Sequence, residues 1–252
     1  MSEQEAVLVT GAGRGLGATI AERLAATGYA VLVTDIDADT AELVAQRIRD
    51  DGGEAHALRL DVTSEQSCEE AVRYADERLG GLYGVVNNAG IVAATPFVDM
   101  TVEQWDAVLT VNARGTFLVC RAAARAMRPR GRGAIVNIAS IAGRDGFPKF
   151  ANYVASKHAV IGLTRTLARE LGPDGIRANA VCPGAIKTAM WSAEAQDTDD
   201  PDAVFDSIAE GTSLRRNQTS DDIADAVEFL IGPRANSITG QSLIVDSGLI
   251  FA

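Results

Sequence analysis

The chain has 252 residues, with 47% hydrophobic and 23% charged side chains, a size and balance that suit one large α/β domain. Lys and Arg number 23 against 34 Asp and Glu, a net charge of −11. That balance excludes the basic footprint of a nucleic-acid or anionic-membrane binder and is that of a soluble acidic protein. Three widely spaced cysteines without a Cys-x-x-Cys pair fit a reduced, cytoplasmic compartment, and two histidines cannot furnish an ordinary zinc site. The start, MSEQEAVLVT, lacks the basic-then-apolar pattern of a secretion signal, and no apolar run is long enough to span a membrane.

Short β-rich runs alternate with helical stretches. Residues 6–10 read as a buried strand and 16–27 as a helix. A strand over 30–35 is followed by a helix over 40–50, a strand over 55–60 and a helix over 64–79. A fourth strand covers 84–88, and a long helix 101–127 opens with Thr101 and Gln104 in capping-box spacing. The fifth strand is 133–139, and the helix 153–171 ends at Gly172-Pro173. A strand over 176–182, a helix over 221–230 and a last strand over 242–246 complete the chain. Continuous apolar strands alternating with helices predict a single-domain, doubly wound parallel sheet of about seven strands, helices on both faces. The region 189–216 reads as irregular and contains the acidic stretch EAQDTDDPD. It follows a strand end, where ligands bind in such sheets, so it is a candidate lid; the alternative is a solvated insertion.

The turn TGAGRGLG joins the first strand to the first helix. Glycines Gly11, Gly15 and Gly17 permit a sharp turn and close approach of backbone to phosphate, and free N–H groups around Arg14, Leu16 and the helix start suit a pyrophosphate. Asp35 ends the second strand, 18 residues after Gly17, where a carboxylate accepts both hydroxyls of an adenosine ribose and repels a 2′-phosphate. Arg14 pulls the other way, since a cation at the turn attracts that phosphate. The strand-end acid is closer to the ribose, which favours NAD over NADP.

Tyr153 and Lys157 are four apart in YVASKHAV, on one face if the run is helical. A free tyrosine has a pKa of about 10 and accepts protons poorly at neutral pH. A cation ~4 Å away at an effective dielectric of ~20 favours the phenolate by up to ~4 kcal/mol, enough to bring the phenol towards the range of a general acid/base. The bland reading of the same pair is a solvated helix face.

Together these motifs resemble the short-chain dehydrogenase/reductase family over nearly the whole chain, in the family's order. NNAG, containing Asn88, Ala89 and Gly90, matches the motif at the end of the fourth strand. Asp61 and Val62 resemble the pair that holds the adenine ring. Pro183, Gly184, Ile186 and Thr188 match the segment that contacts the nicotinamide. Asn112 matches the active-site asparagine and Ser140 the catalytic serine; their bland alternatives are a polar core residue and a helix cap. The resemblance implies that Tyr153 exchanges a proton with the substrate oxygen, which Ser140 orients. It implies that Lys157 lowers the tyrosine pKa and binds the nicotinamide ribose, and that Asn112 bends its helix and holds a water. No metal is implied. Two positions depart from the pattern: Ser247 stands where a second glycine is common and Ser220 where proline is frequent.

The expected substrate pocket includes Ile141, Phe147, Phe150, Met190 and Trp191, with Ile91–Ala94 and Ala185 beside them. The runs AIKTAMW and TGQSLIVDSGLIFA look similar to the acetoin reductase/polyol dehydrogenase branch, which implies a small diol, polyol or hydroxyketone. The alternatives are an NADPH-dependent 3-oxoacyl-thioester reductase, another ketone reductase and, from a different class, a non-catalytic dinucleotide sensor. The complete set of Asn112, Ser140, Tyr153 and Lys157 argues against the sensor. The family also implies a homotetramer joined through its long helices and last strand.

Overall fold

The computed structural model describes residues 5–187 and 200–251. Seven strands form one parallel sheet: β1 (Ala6–Thr10), β2 (Ala30–Asp35), β3 (Glu54–Arg59), β4 (Leu82–Asn87), β5 (Gly133–Ile138), β6 (Ile176–Pro183) and β7 (Ser242–Val245), in the order β3-β2-β1-β4-β5-β6-β7. All neighbouring pairs are parallel. The chain order reverses beside β1, leaving a crevice between the C-terminal ends of β1 and β4, where ligands bind in open sheets.

Every residue of β1 is buried because both sheet faces are covered. Val7, Val9, Val31 and Val33 pack on one face with Ile20 and Leu24 of α1 (Gly15–Ala26), Val44 and Ile48 of α2 (Ala38–Asp50) and Ile223 and Val227 of the C-terminal helix. Ala6, Leu8 and Leu32 face the other way, onto Ala71 and Val72 of α3 (Glu65–Arg78) and Leu118 and Val119 of α5 (Thr116–Met127). This period-two alternation divides the core between the layers. A fully buried leucine such as Leu8 contributes ~1.5–3 kcal/mol.

The predicted helix over 101–127 is interrupted. α4 (Val102–Leu109) opens with the expected Thr101–Gln104 capping box, then Thr110–Gly115 forms a π-helical turn before α5. The Thr116 hydroxyl donates to the Asn112 carbonyl at 2.7 Å, and the Asn112 side chain is engaged elsewhere, so local bonds replace the regular ladder. At Gly115 an added Cβ would lie 2.9 Å from Val62 Cγ2, so glycine lets this turn pack on the loop after β3.

α6 (Ala151–Leu171) and α8 (Ser220–Ile231) lie close to their expected positions. The reading of 189–216 as wholly irregular is corrected. α7 (Pro201–Gly211) is a helix there, with Asp200 capping the Ala203 N–H at 2.9 Å and Pro201 in the first turn. The acidic composition hid an apolar i, i+4 pair, Val204 and Ile208.

Both departures from the family pattern are accommodated locally. Ser247 takes φ +59°, which explains why glycine suits that position, and Asp246 holds the turn by accepting from Gly248 N–H at 2.9 Å and Ile250 N–H at 2.8 Å. At Ser220 the helix start needs no proline, because Thr219 and Asp222 form a reciprocal capping box. In mid-sheet, Asn87 and Asn137 are register partners on β4 and β5. The Asn87 amide donates to Asn137 Oδ1 at 2.8 Å and to Cys120 Sγ at 3.2 Å, while Asn137 donates to Thr164 Oγ1 at 2.9 Å. Burial pushes the Cys120 thiol up to about 12.

Candidate active site

A cleft of about 820 Å³ opens along the C-terminal ends of the strands. The first βα turn forms one end. Gly11 has φ +61°, and a Cβ there would meet Ala89 Cα at 2.8 Å. At Gly17 a Cβ would lie 2.2 Å from the Gly11 carbonyl oxygen, so the turn folds onto the helix start only without side chains. Asn88 clamps the turn by donating to the Thr10 and Gly11 carbonyls at 3.0 and 2.9 Å, and Thr10 Oγ1 accepts from the Asn88 and Ala89 N–H groups. α1 starts after Arg14 with no side-chain cap and no acid in its first turn. Its first N–H groups therefore suit an anion, and the cradle fits a dinucleotide pyrophosphate.

Asp35 is held in two directions. Its Oδ2 accepts from Gly13 N–H at 3.0 Å and its Oδ1 from Asp37 N–H at 3.2 Å. Gly13 is a glycine requirement that sequence reading passed over: a Cβ there would lie 2.3 Å from Thr40 Oγ1. Asp61 turns its carboxylate onto its own loop, accepting from the Thr63 N–H and hydroxyl at 2.9 and 2.7 Å. Those bonds hold its pKa below the usual carboxylate range. Val62 packs beside it against the π-turn.

At the other end, Tyr153 and Lys157 stand one turn apart on α6, both buried. The Lys157 ammonium donates to the Ile138 carbonyl at 2.8 Å and lies 5.4 Å from the Tyr153 ring centroid. Ser140 lines the cleft and also caps the turn Ile141–Gly143, accepting from Ala142 N–H at 3.1 Å. The functional and capping readings of this serine are thus compatible. Asn112 sits just behind the lining. Its Oδ1 accepts from Ile91 N–H at 2.8 Å, and its amide donates to Ile91 O and Ser156 Oγ at 2.9 and 3.1 Å. A Cβ on Gly90 would come within 3.2 Å of Asn112 Oδ1 and 3.7 Å of Lys157 Nζ, so glycine here lets the two approach.

Gly15, Leu16, Pro183, Gly184 and Ile186 also line the cleft, as do Ile141, Phe147 and Phe150. Thr188, Met190 and Trp191 lie outside the described residues. The sequence does not single out Ile36, Leu60, Thr63, Val111 or Leu249, and it includes the apolar lining residues Val204 and Ile208 only within the candidate lid 189–216. The Asp200-Pro201 start and the four-residue spacing could have revealed Val204 and Ile208. Nothing in the sequence marks Leu249. Among the described residues no cluster of three His, Cys, Asp or Glu side chains could hold a metal ion, and no helix is long and apolar enough to cross a membrane.

Residues 11–250 match the family profile described as Enoyl-(Acyl carrier protein) reductase. The short-chain reductase protein NovJ of Streptomyces niveus is 41% identical over 250 residues, spanning 98% of this chain and 95% of that protein. The (S)-acetoin-forming diacetyl reductase of Staphylococcus epidermidis is 35% identical over 251 residues, 97% of this chain and 98% of the reductase. A gluconate 5-dehydrogenase from Burkholderia cenocepacia J2315, solved in complex with NADP and tartrate, matches with a TM-score of 0.91 at 34% identity, covering 97% of this chain and 94% of the other. The chain belongs to the short-chain dehydrogenase/reductase family. It is an NAD(P)-dependent oxidoreductase acting on alcohols and ketones.

Proposed function

We propose that this protein is an NAD-preferring dehydrogenase/ketoreductase in which Tyr153 exchanges the proton at the oxygen of a small secondary alcohol or its ketone, a class that includes vicinal diols and hydroxyketones. The observation that carries this reading is the buried pairing of Tyr153 and Lys157 at the cleft wall beside Ser140. Bound nicotinamide supplies or accepts the hydride. Ser140 orients the substrate oxygen, and Tyr153 gives or takes its proton. Lys157 holds positive charge beside the phenol and, with Asn112 and Gly90, shapes the floor beneath the reacting atoms. The glycine turn, Asn88, Ala89, Asp61 and Val62 hold the cofactor, with Pro183, Gly184 and Ile186 at its nicotinamide end. The residues of α7 form part of a lid, supported by Val204 and Ile208 at the cleft.

Asp35 supports the choice of NAD, because its bonds to Gly13 and Asp37 fix at the end of β2 a carboxylate that would accept from the adenosine ribose hydroxyls and repel a 2′-phosphate. Arg14 opposes it at the same cleft. Tyr153→Phe tests the central step: it retains NADH binding by fluorescence titration and loses at least about 100-fold in turnover, a general acid/base contribution. Unchanged turnover removes Tyr153 from the mechanism, and NADH binding with no turnover of any alcohol, ketone or 3-oxoacyl thioester by the unaltered protein favours the sensor reading.

A homotetramer in a reduced cytoplasmic compartment completes the proposal. Phe97, Val98, Val102 and Trp105 around α4, and Phe117 on α5, are exposed apolar side chains of the kind association would cover. A monomeric mass by light scattering at micromolar concentration contradicts it.

A further inference from the structure

We propose that the site takes uncharged secondary alcohols or ketones whose body beyond the reacting carbon is hydrocarbon, and that it discriminates against polyols and sugar acids. The inference rests on the oxidoreductase reading above and narrows its substrate class, setting aside the diols and hydroxyketones in favour of simple alcohols and ketones.

Polar side chains lining the cleft fall into two groups. Arg14, Asp35, Asp61 and Thr63 belong to the loops after β1, β2 and β3. Ser140 follows β5, and Tyr153 and Lys157 stand on α6, the Lys157 ammonium donating to the Ile138 carbonyl at 2.8 Å. At ~4.8 Å per strand, the end of β2 lies ~14 Å from β5 and the end of β3 ~19 Å, so Asp35, Asp61 and Thr63 cannot serve a small substrate at the second group, while Arg14 follows β1, ~10 Å away, on the glycine turn. Asn88, midway, spends its amide on the Thr10 and Gly11 carbonyls. Among the described residues the other side chains around the reacting end are apolar. Phe147, Phe150, Val92 and Ala93 pack against the buried cluster of Val108, Ala142 and Tyr153. Ile141, Val204, Ile208 and Leu249 continue that lining. The nearby cation Lys187 is engaged with Asp202 at 2.7 Å and is not part of the lining.

Such a wall recognises one oxygen and hydrocarbon. Each further hydroxyl brought against it leaves water without gaining a partner, and a carboxylate loses more. Each methylene buried against it gains affinity instead, by about fourfold at full burial.

The test is a homologous series from butan-2-one to octan-2-one with NADH, alongside oxidation of hexan-2-ol, sorbitol and gluconate with NAD⁺. The expected result is a rise in kcat/KM of about two- to fourfold per methylene until the wall is filled. Hexan-2-ol is expected to exceed sorbitol and gluconate by at least about 100-fold, the loss expected from two or more unpartnered hydroxyls. Ile208→Ser flattens the long end of the series. A flat or falling series, or sorbitol or gluconate matching hexan-2-ol, overturns the proposal. If nothing turns over, the oxidoreductase reading fails separately. Competition of octan-2-one and sorbitol for the NADH-loaded protein, read by NADH fluorescence, still decides the wall: tighter octan-2-one supports it, and equal or tighter sorbitol overturns it.

Discussion

Asp35→Ala offers the sharpest test of cofactor choice. The carboxylate is partly exposed at the end of β2, fixed by the Gly13 and Asp37 amides. A 2′-phosphate reaching its place would lie within ~4 Å. At that distance a pair of unit charges repels by ~1–2 kcal/mol for effective dielectrics of ~40–80, fitting for a site open to water. With a phosphate charge near −2, relief of repulsion favours NADP by ~2–4 kcal/mol. NAD loses a charge-assisted bond to its ribose, ~1.5–3 kcal/mol before water replaces part of it. The two effects act in opposite directions on the two cofactors, so the ratio of kcat/KM for NAD⁺ over NADP⁺ should fall by at least about 100-fold, or ~2.7 kcal/mol. Steady-state kinetics with both cofactors at low salt and at about 0.5 M salt measures it; the electrostatic part should shrink in high salt. A ratio that moves less than about threefold refutes the reasoning and transfers selection to Arg14, whose Ala variant would then carry the larger change.

Gly17→Ala must move backbone, since its Cβ would lie 2.2 Å from the Gly11 oxygen. It should cost ~1–3 kcal/mol of stability and weaken NADH binding by at least about tenfold; an unchanged Kd by titration contradicts the cradle. Asn137→Ala removes the acceptor of Asn87 and the partner of Thr164 in mid-sheet, and should destabilise by about 2–4 kcal/mol in urea unfolding. A loss under about 1 kcal/mol would show the network to be dispensable. Asp222 is held far below the usual carboxylate range by the Arg216 guanidinium and then by the Thr219 N–H. A depressed folded-state pKa gives stabilisation that is present above the unfolded value near 4 and is lost as pH falls towards the folded one. Asp222→Ala should therefore lower Tm at pH 7 by more than it does near pH 2.5; an equal deficit at both would assign the effect to packing.

Elements with strong local signals are legible in the sequence itself. The valine-rich strands, the glycine turn and the Thr101 capping box depend on neighbours in sequence, and they lie where expected. The resemblance implied a bend at Asn112. The physical form of that bend, a π-turn, depends on Ile91 and Ser156, which are distant in sequence. α7 was hidden because an acidic composition reads as solvated loop, although its Asp-Pro start and its Val204–Ile208 pair were visible. Gly13 and Leu249 depend on distant parts of the chain: one matters through Thr40 at the start of α2, the other through a chain reversal at Ser247-Gly248. Ser140 looked like a choice between a cap and a site residue, and its backbone position permits both.

The Cys120 network has a practical corollary. Full burial pushes the Cys120 thiol up to about 12, which suppresses the reactive thiolate at pH 8. Cys68 is also buried and is raised to about 11, and Cys182 is raised by burial as well. The folded chain therefore carries three silent sulfhydryls. A colourless thiol-reactive dye added to the native protein would develop colour only as fast as the sheet opens, which makes the three cysteines a built-in clock for breathing of the domain.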